Sequence, residues 1–203
     1  MANTNAIQLG CEGVVRLLRL VYNIDQAQAN PVLPNQLKFG VHLAKNFKTG
    51  DTDFISKGVS LFLYRVYVNA NQRAARSQDL SGKYFRPPLP VELHFFLTVW
   101  ASSASEQHQI LGWTMRTLED YPILPAVILN SSAKAFNDDE TVEIIPGQLT
   151  NEEMMRIWDD LDGGYQISVP YIARIIRIES KVEVQEGGKP VMERLFEMMT
   201  PSE

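Results

Sequence analysis

The sequence predicts an α+β protein, in which about three helices pack on a mixed, mainly antiparallel sheet. Stretches with alternating apolar residues are separated by stretches in which apolar residues recur every three or four positions. Along the chain the order is helix, several strands, helix, strand, helix, strand, as expected for helices on a sheet. With 203 residues, 45% of them hydrophobic, the chain is long enough for one filled core.

Three helices are predicted from their apolar faces and their caps. The first helix has an apolar face formed by Ile7, Cys11, Val14, Leu18 and Val21. Ser103 and Glu106 have the spacing of a capping box and begin the second helix, which ends before Pro122. Thr150 and Glu153 begin the third helix in the same way.

Alternating apolar residues predict five strands, at residues 37–45, 61–68, 90–101, 141–145 and 165–180. The second has β-forming residues on both faces, which predicts a central strand covered on two sides. Pro170 interrupts the last strand and indicates an edge position or a bulge near its start. We expect residues 123–140 to form a loop or a broken extended segment, and residues 181–186 to extend or pair the last strand.

A polar segment follows the second strand and is the first candidate binding surface. Asn69, Asn71, Arg73 and Arg76 end the apolar pattern together, as an interface or a solvated turn would. Arg65 lies inside the apolar part of the strand, where an unpaired buried charge would be costly. Its guanidinium must therefore reach a carboxylate, a carbonyl or solvent. A position at the edge of the sheet and a contact between subunits both satisfy this requirement.

Composition argues against several classes of protein. The net charge of -5 and the pI of about 5.3 do not favour binding to nucleic acid or to an anionic membrane surface. No apolar run is long enough to insert into a membrane, and the first residues lack the pattern of a signal peptide. We therefore expect a cytoplasmic protein, in which the single cysteine, Cys11, is a buried hydrophobic residue.

The sequence offers little that suggests catalysis. Its three histidines lie in different predicted elements without the spacing of zinc ligands, and no phosphate-binding loop, nucleophile elbow or dinucleotide fingerprint occurs. We expect no catalytic site, no metal and no cofactor. An alternative from a different functional class is a ligand-binding or hydrolytic domain. Such a domain would use Glu92 and His94, which share one face of a predicted strand.

Five segments occur in an order that resembles one family. They are LFLYRVYVNANQR, PPLPVELHFFLTVWA, ILGWTMRTLEDYPILP, LTNEEMMRIWDDL and YQISVPYIARIIRIE. The family is the N-terminal domain of the cap, or tail-terminator, protein of contractile injection systems of the antifeeding-prophage and virulence-cassette type. Its signatures correspond here to residues 63–69, 88–97 and 111–122, and to Trp158 followed by Ser168 and Tyr171.

The resemblance implies a phage tail-terminator-like fold at residues 1–178, followed by a C-terminal arm at residues 179–203. It implies a non-enzymatic structural protein that forms a ring, expected to be a hexamer, and ends the inner tube and the contractile sheath. Its partners would be further copies of itself and the tube and sheath proteins, and the chain would be assembled into the particle. An adaptor or assembly factor of the same particle is the alternative. The candidate residues of the subunit interface are Arg65, Asn69, Asn71, Arg73, Arg76, Leu195 and Phe196.

The sequence departs from the family pattern in two places. Arg73-Ala74-Ala75-Arg76 stands where the family often has asparagine or a neighbouring polar residue, so contacts made there are expected to differ. Larger members of the family also carry a further C-terminal domain, where this sequence has only the arm. The resemblance therefore does not extend to functions specific to that domain.

Overall fold

The computed structural model of the chain describes residues 2–28, 33–47, 54–72, 77–78, 83–161 and 164–184. The α-helices are α1 (Ala6–Gln26), α2 (Ala104–Asp120), α3 (Ala126–Leu129) and α4 (Asn151–Asp159). The first strands are β1 (Lys38–His42), β2 (Gly58–Val68), β3 (Ser77–Gln78), β4 (Tyr84–Phe85) and β5 (Leu89–Trp100). They are followed by β6 (Ile123–Pro125), β7 (Thr141–Pro146), β8 (Ser168–Ile178) and β9 (Glu183–Val184). Two 3-10 helices lie at Ala44–Phe47 and Ala70–Gln72.

The main sheet has six strands in the order β1-β2-β5-β8-β7-β6. Only the pairing of β1 with β2 is parallel, and all other pairs in this sheet are antiparallel. This confirms the predicted α+β class with a mixed, mainly antiparallel sheet. A second sheet, in the order β3-β4-β9, prolongs the sheet beyond the paired ends of β5 and β8. Residues 181–186 were predicted to extend or pair the last strand. β9 follows β8 along the chain but pairs with β4 and not with β8, so the predicted pairing is wrong. Residues 185–186 lie outside the described part.

Helices α1, α2 and α3 cover one face of the main sheet. The residues of β5 that alternate toward this face are buried: Val91, Leu93, Phe95, Leu97 and Val99. They meet the apolar face of α1 in a continuous core, as the period of two in the strand and the helical spacing predict. Cys11 belongs to this core.

The other face of the sheet carries a smaller core rich in aromatic side chains, beneath α4 and the first 3-10 helix. Phe47 is fully buried, and its ring centroid lies 5.3 to 6.5 Å from those of four other aromatic residues. These residues are Phe62, Phe96, Trp100 and Trp158. Tilted and edge-on pairs at such distances add to the free energy gained by burial.

The helix starts agree with the predicted caps. At α4 the Thr150 hydroxyl accepts a hydrogen bond from the Glu153 backbone N–H, and the Glu153 carboxylate accepts one from the Thr150 backbone N–H, which completes a capping box. At α2, Ser103 accepts a bond from the Glu106 N–H, but the Glu106 carboxylate binds Lys57 at 3.1 Å instead of closing the box. Each cap satisfies a backbone donor that the helix leaves free.

The prediction that β2 is covered on two sides is correct only for its first half. β1 pairs with residues 58–62 and ends at His42, so residues 63–68 pair with β5 alone. The burial of β2 falls accordingly, from fully buried at its start to exposed over residues 65–68.

The prediction of an edge strand or a bulge at Pro170 is wrong for β8 as a whole, although Pro170 itself precedes the residues that pair with β7. β8 lies between β5 and β7, and the irregularity in its pairing lies at the other end of the strand. The Pro170 carbonyl accepts a hydrogen bond from Gly147 N at 2.9 Å, immediately beyond the end of β7. Because N and C=O of a residue point to the same side, the missing N–H faces the side where β7 has already ended.

Residues 123–140 contain more structure than the predicted loop or broken extended segment. β6 is its extended part, but α3 follows directly and contributes Leu129 to the main core. Asn130 then holds the chain, because its Oδ1 accepts the backbone N–H groups of Ala135 at 2.9 Å and Phe136 at 2.8 Å. The prolines at both ends of β6 are typical of turns and loops, so the sequence alone does not predict the short strand and the helix found here.

Candidate assembly surface

The second half of β2 presents backbone groups that no other strand uses. In the described part of the chain, residues 63–68 have no strand on the side away from β5, and this side is called the free edge of β2. Asn69 N donates to Pro90 O at 3.0 Å, so the backbone of Asn69 faces β5. By alternation, Val66 and Val68 point their N–H and C=O groups outward. Their side chains are 42% and 41% exposed, so this edge is both apolar and unpaired.

Arg65 reaches solvent through a bulge. The register between β2 and β5 shifts between Leu63 and Arg65, which places Arg65 opposite His94 on the face that carries α4. Its guanidinium carbon lies 5.8 Å from the centroid of the Tyr67 ring, within range of a cation–π contact. Arg65 is therefore an exposed cation at a sheet edge, and its contact with another subunit remains a prediction.

Asn69 uses its side chain to close the turn after β2. Its Nδ2 donates to Glu92 Oε1 at 2.8 Å, and its Oδ1 accepts the backbone N–H of Asn71 at 3.1 Å. Asn69 thus fixes the end of the strand, whereas Asn71 is exposed. The other candidate interface residues, Arg73, Arg76, Leu195 and Phe196, lie outside the described residues.

Glu92 and His94 are neighbours, but their geometry is that of a packed polar cluster. Glu92 Oε2 and His94 Nε2 are 3.7 Å apart, beyond hydrogen-bond distance. His94 Nε2 is buried and has no hydrogen-bond partner among the residues the structure describes. The rings of Tyr64 and Tyr67 stand edge-on to the imidazole at 6.2 and 6.4 Å. His94 Nε2 therefore forms no nucleophile–base pair with a hydroxyl or a thiol in the described ranges.

The remaining titratable residues do not converge on a site. Burial, with a smaller effect from Glu12, raises the pKa of Cys11 to about 12, so its thiol is inert at neutral pH. His42 is buried against Phe47, whereas His108 is exposed on α2. Over the described ranges, no three residues among histidine, cysteine, aspartate and glutamate are placed to bind a metal ion.

Among the residues that the structure describes, β9 provides a second unpaired edge, which sequence reasoning did not single out. It is the last strand of the small sheet, and Val182 beside it is 49% exposed. Glu183 is exposed and forms an ion pair with Lys83 at 3.1 Å. The alternation in Lys181-Val182-Glu183-Val184 was the available signal, but four residues are too few to identify an edge strand.

The two outer edges of the main sheet are protected, unlike these two. At β1, Arg19 Nη2 donates to Phe39 O at 2.7 Å and so uses an outward carbonyl group. β6 has only three residues, and Pro122 and Pro125 bound it and lack N–H groups. Short strands, prolines and covering side chains are the usual means of blocking strand addition. In the described part of the chain, the free edge of β2 has none of these three, and its only such features are the bulge and the charge at Arg65.

Comparison with known proteins gives one family and several solved structures, of which two are named below. Residues 28–192 match the family described as the Pvc16 N-terminal domain. The sheath/tube terminator of the PVC extracellular contractile injection system, in its extended state, is 15% identical with a TM-score of 0.48, over 87% of this chain and 60% of that chain. The tube-terminating cap of the anti-feeding prophage is 13% identical with a TM-score of 0.49, over 85% of this chain and 57% of that chain. This chain thus spans less than two thirds of the length of either protein.

No curated protein is detectably similar in sequence. Among the described residues, no helix is both long and apolar enough to cross a membrane.

Proposed function

Since the chain belongs to the Pvc16 N-terminal domain family, we propose that it is a structural cap protein of a contractile injection system. In this proposal it assembles as a hexameric ring and ends the inner tube and the contractile sheath. The observation that carries the proposal is the family match over residues 28–192 of 203, which includes all five ordered segments. The function is one of assembly and requires no catalytic residue.

The surface of the protomer supports a role in assembly. A closed ring requires two complementary patches on every protomer. The free edge of β2 and the outer edge of β9 offer unpaired backbone groups beside exposed valines. Tyr121, Ile123 and Val127, which are 53%, 57% and 79% exposed, form a further apolar area around β6. Apolar areas of this kind are typical of surfaces that become buried in a complex.

The proposal is tested by removing the chain from the producing strain and imaging the particles by electron microscopy. A cap that ends polymerisation leaves, when absent, tubes and sheaths of abnormal and variable length. Complementation with the wild-type chain is expected to restore a uniform length. Sheathed tubes of normal length without this chain would contradict the proposal.

Mass spectrometry of purified particles distinguishes a cap from an adaptor or assembly factor. A hexameric cap is expected at about six copies for each capped end, because closed symmetry fixes its number. An assembly factor acts during construction and is expected to be absent from the finished particle. A copy number that increases with tube length would contradict both roles.

A further inference from the structure

We propose that β9 of one protomer adds as a parallel strand to the free edge of β2 in the next protomer, and that this contact repeats around the ring. The inference rests on the proposed ring and names the contact that closes it. The partner is a second copy of this chain. The segment that this second copy contributes is extended and carries the acidic side chain of Glu183 between Val182 and Val184.

Both edges are open to pairing as far as the described residues of the chain are concerned. Val66 and Val68 present outward backbone donors and acceptors on β2, and β9 is the outermost strand of its sheet. Both strands are free of proline, whereas β1 and β6 are protected by Arg19 and by prolines. Addition of a strand satisfies such groups by main-chain hydrogen bonds and is a common mode of recognition.

The backbone groups of β9 alternate between the side of β4 and the outer side. Arg86 N donates to Val182 O at 3.1 Å, so the backbone of Val182 faces β4. Val184, two residues later and opposite Tyr84, faces β4 as well. Glu183 therefore points its N–H and C=O outward, away from the small sheet.

The side chains of the two edges match in the parallel orientation. In a parallel ladder, a residue whose N–H and C=O point toward the added strand lies beside a residue of that strand whose N–H and C=O point away from it. Val66 then lies beside Val184, and Arg65 lies beside Glu183. An antiparallel ladder would instead place Glu183 opposite Val66 or Val68 and the valines of β9 opposite Arg65 or Tyr67. Apolar neighbours and opposite charges stabilise adjacent strands, so the parallel register is favoured.

The proposed contact is compatible with a closed ring. The contact joins two different edges of the same chain, so each protomer gives one strand and accepts another. Such a head-to-tail contact produces a ring when its rotation closes. The added β9 would also continue the line of β1, which is itself parallel to the first half of β2.

Charge reversal tests the register. Arg65→Glu would place two carboxylates side by side in every contact, and Glu183→Arg would place two guanidinium groups there. Each variant alone is expected to lower the ring fraction by about tenfold or more, since the unfavourable pair recurs at every contact. An equal mixture of the two variants restores opposite charges at every contact in an alternating ring with an even number of subunits. Native mass spectrometry is expected to show recovery of the hexamer in the mixture, with the two variants in equal numbers.

Matched controls separate this contact from net charge and from folding. Arg156→Glu and Glu152→Arg make the same charge changes on the exposed surface of α4, where the two residues pair with each other, and are expected to leave the ring intact. Lys83→Ala removes the ion pair that Glu183 forms within the protomer and is also expected to leave the ring intact. Arg65 and Glu183 are exposed, so the thermal melting of the monomeric variants should match that of the wild type. Failure of the mixture to recover the ring would overturn the inference.

Cysteine cross-linking tests the contact directly. The only native cysteine, Cys11, is buried, so it gives little background. A variant that carries both Val66→Cys and Val184→Cys is expected to form a disulfide-linked ladder up to six subunits. Either single variant is expected to form no linked dimer, because the contact joins different edges. A dimer of Val66→Cys alone would show a symmetric contact and overturn the proposal.

The same cysteine variants, assembled into particles, separate this inference from the proposed function. If the chain caps the particle but the ladder is absent, the strand contact is wrong and the cap role stands. If Val66→Cys links to a tube or sheath protein instead, the free edge of β2 serves another partner and the inference fails. If the chain is absent from particles, the cap role fails, and the ladder in solution alone decides the inference.

Discussion

The two halves of β2 have similar sequences and opposite surroundings. In residues 58–61 every residue is buried between β1 and β5, whereas residues 65–68 are all exposed and pair with β5 only. Val59 is 1% exposed and Val66 is 42% exposed, although both are valines on the same strand. The difference shows that the alternation of apolar residues predicts which side chains share a face of the strand. The length of the neighbouring strand decides how many residues of β2 are paired on both sides.

The neighbour ends early because the chain after β1 is drawn to the other face of the sheet. Asn46 Oδ1 accepts the backbone N–H of Leu43 at 2.8 Å and turns the chain into a 3-10 helix. Phe47 at the end of this helix is fully buried among aromatic rings. Burial of this large aromatic side chain stabilises the turn away from β2, and β1 ends at His42.

The largest expected effect concerns the start of β2. Gly58 has φ +141, and a Cβ atom there would lie 1.9 Å from Lys38 O of β1. Gly58→Ala is therefore expected to destabilise the protein by about 3 kcal/mol or more and to detach β1 from the sheet. Unfolding in urea measures this free energy.

Gly112→Ala is the matched control for Gly58→Ala. Gly112 lies inside α2, where a Cβ atom would meet nothing within 4 Å. Alanine is expected to stabilise the helix by about 1 kcal/mol, the usual difference in helix propensity. Equal effects of the two substitutions would contradict the close approach of β1 to the start of β2.

The second prediction compares one substitution in the two halves. Val59→Ala removes buried methyl groups and is expected to lower the free energy of unfolding by about 2 kcal/mol. Val66→Ala is expected to change it by less than about 0.5 kcal/mol in the monomer, because the side chain is already in contact with water. Denaturant midpoints measured on monomeric protein check both values. A large loss at Val66 would mean that the second half of β2 is covered within the protomer.

The third prediction concerns the turn that ends the exposed half. Asn69→Ala removes the hydrogen bond to Glu92 and the one to the Asn71 backbone, and is expected to cost about 1 to 2 kcal/mol. Asn71→Ala removes an exposed side chain and is expected to cost almost nothing. Thermal melting of the pair distinguishes a turn held by Asn69 from one that both asparagines share.

The smallest expected effect links the exposed half of β2 to α4. Hydrogen bonds from the backbone N–H and hydroxyl of Thr150 lower the pKa of Glu153, and the charge of Arg65 lowers it further. Arg65→Ala is therefore expected to raise the pKa of Glu153 slightly, as an NMR titration would show. A carboxylate whose pKa is lowered in the folded state stabilises the fold at pH values above its unfolded pKa, and this stabilisation is lost as the pH falls. The free energy of unfolding of the variant should therefore decrease less on acidification than that of the wild type.

Arg156→Ala is the control for this titration, because Arg156 pairs with Glu152 at the same helix. It is expected to leave the pKa of Glu153 nearly unchanged. An equal shift in both variants would show a general effect of net charge and would remove the specific link between β2 and α4.

The sequence was sufficient for features that depend on local spacing. The caps at Ser103 and Thr150 and the inward face of β5 follow from patterns a few residues long. Features that depend on distant segments were not predictable: the early end of β1, and the internal position of Pro170. Both are decided by where a neighbouring strand stops, which no local pattern encodes.

The candidate surface was predictable to a similar extent. Arg65 had to leave the apolar strand for reasons of charge, and the structure places it in solvent through a bulge that has no sequence signal. Asn69 was grouped with interface residues, yet its side chain is engaged in the turn. Its role in a subunit contact, like that of Asn71, is still a prediction. The edge of β9 was overlooked because it pairs over only two residues, with a strand far away in the sequence.

The three tryptophans are divided between the two faces of the sheet. Trp113 lies on the side of α1 and α2, where its Nε1 donates to Asp25 at 2.7 Å and its ring stands edge-on to Tyr22. Trp100 and Trp158 lie on the opposite face, in the core around Phe47. Intrinsic fluorescence can therefore follow each layer separately. A variant that keeps only Trp113 reports the melting of the helical layer, and one that keeps only Trp158 reports that of the aromatic layer.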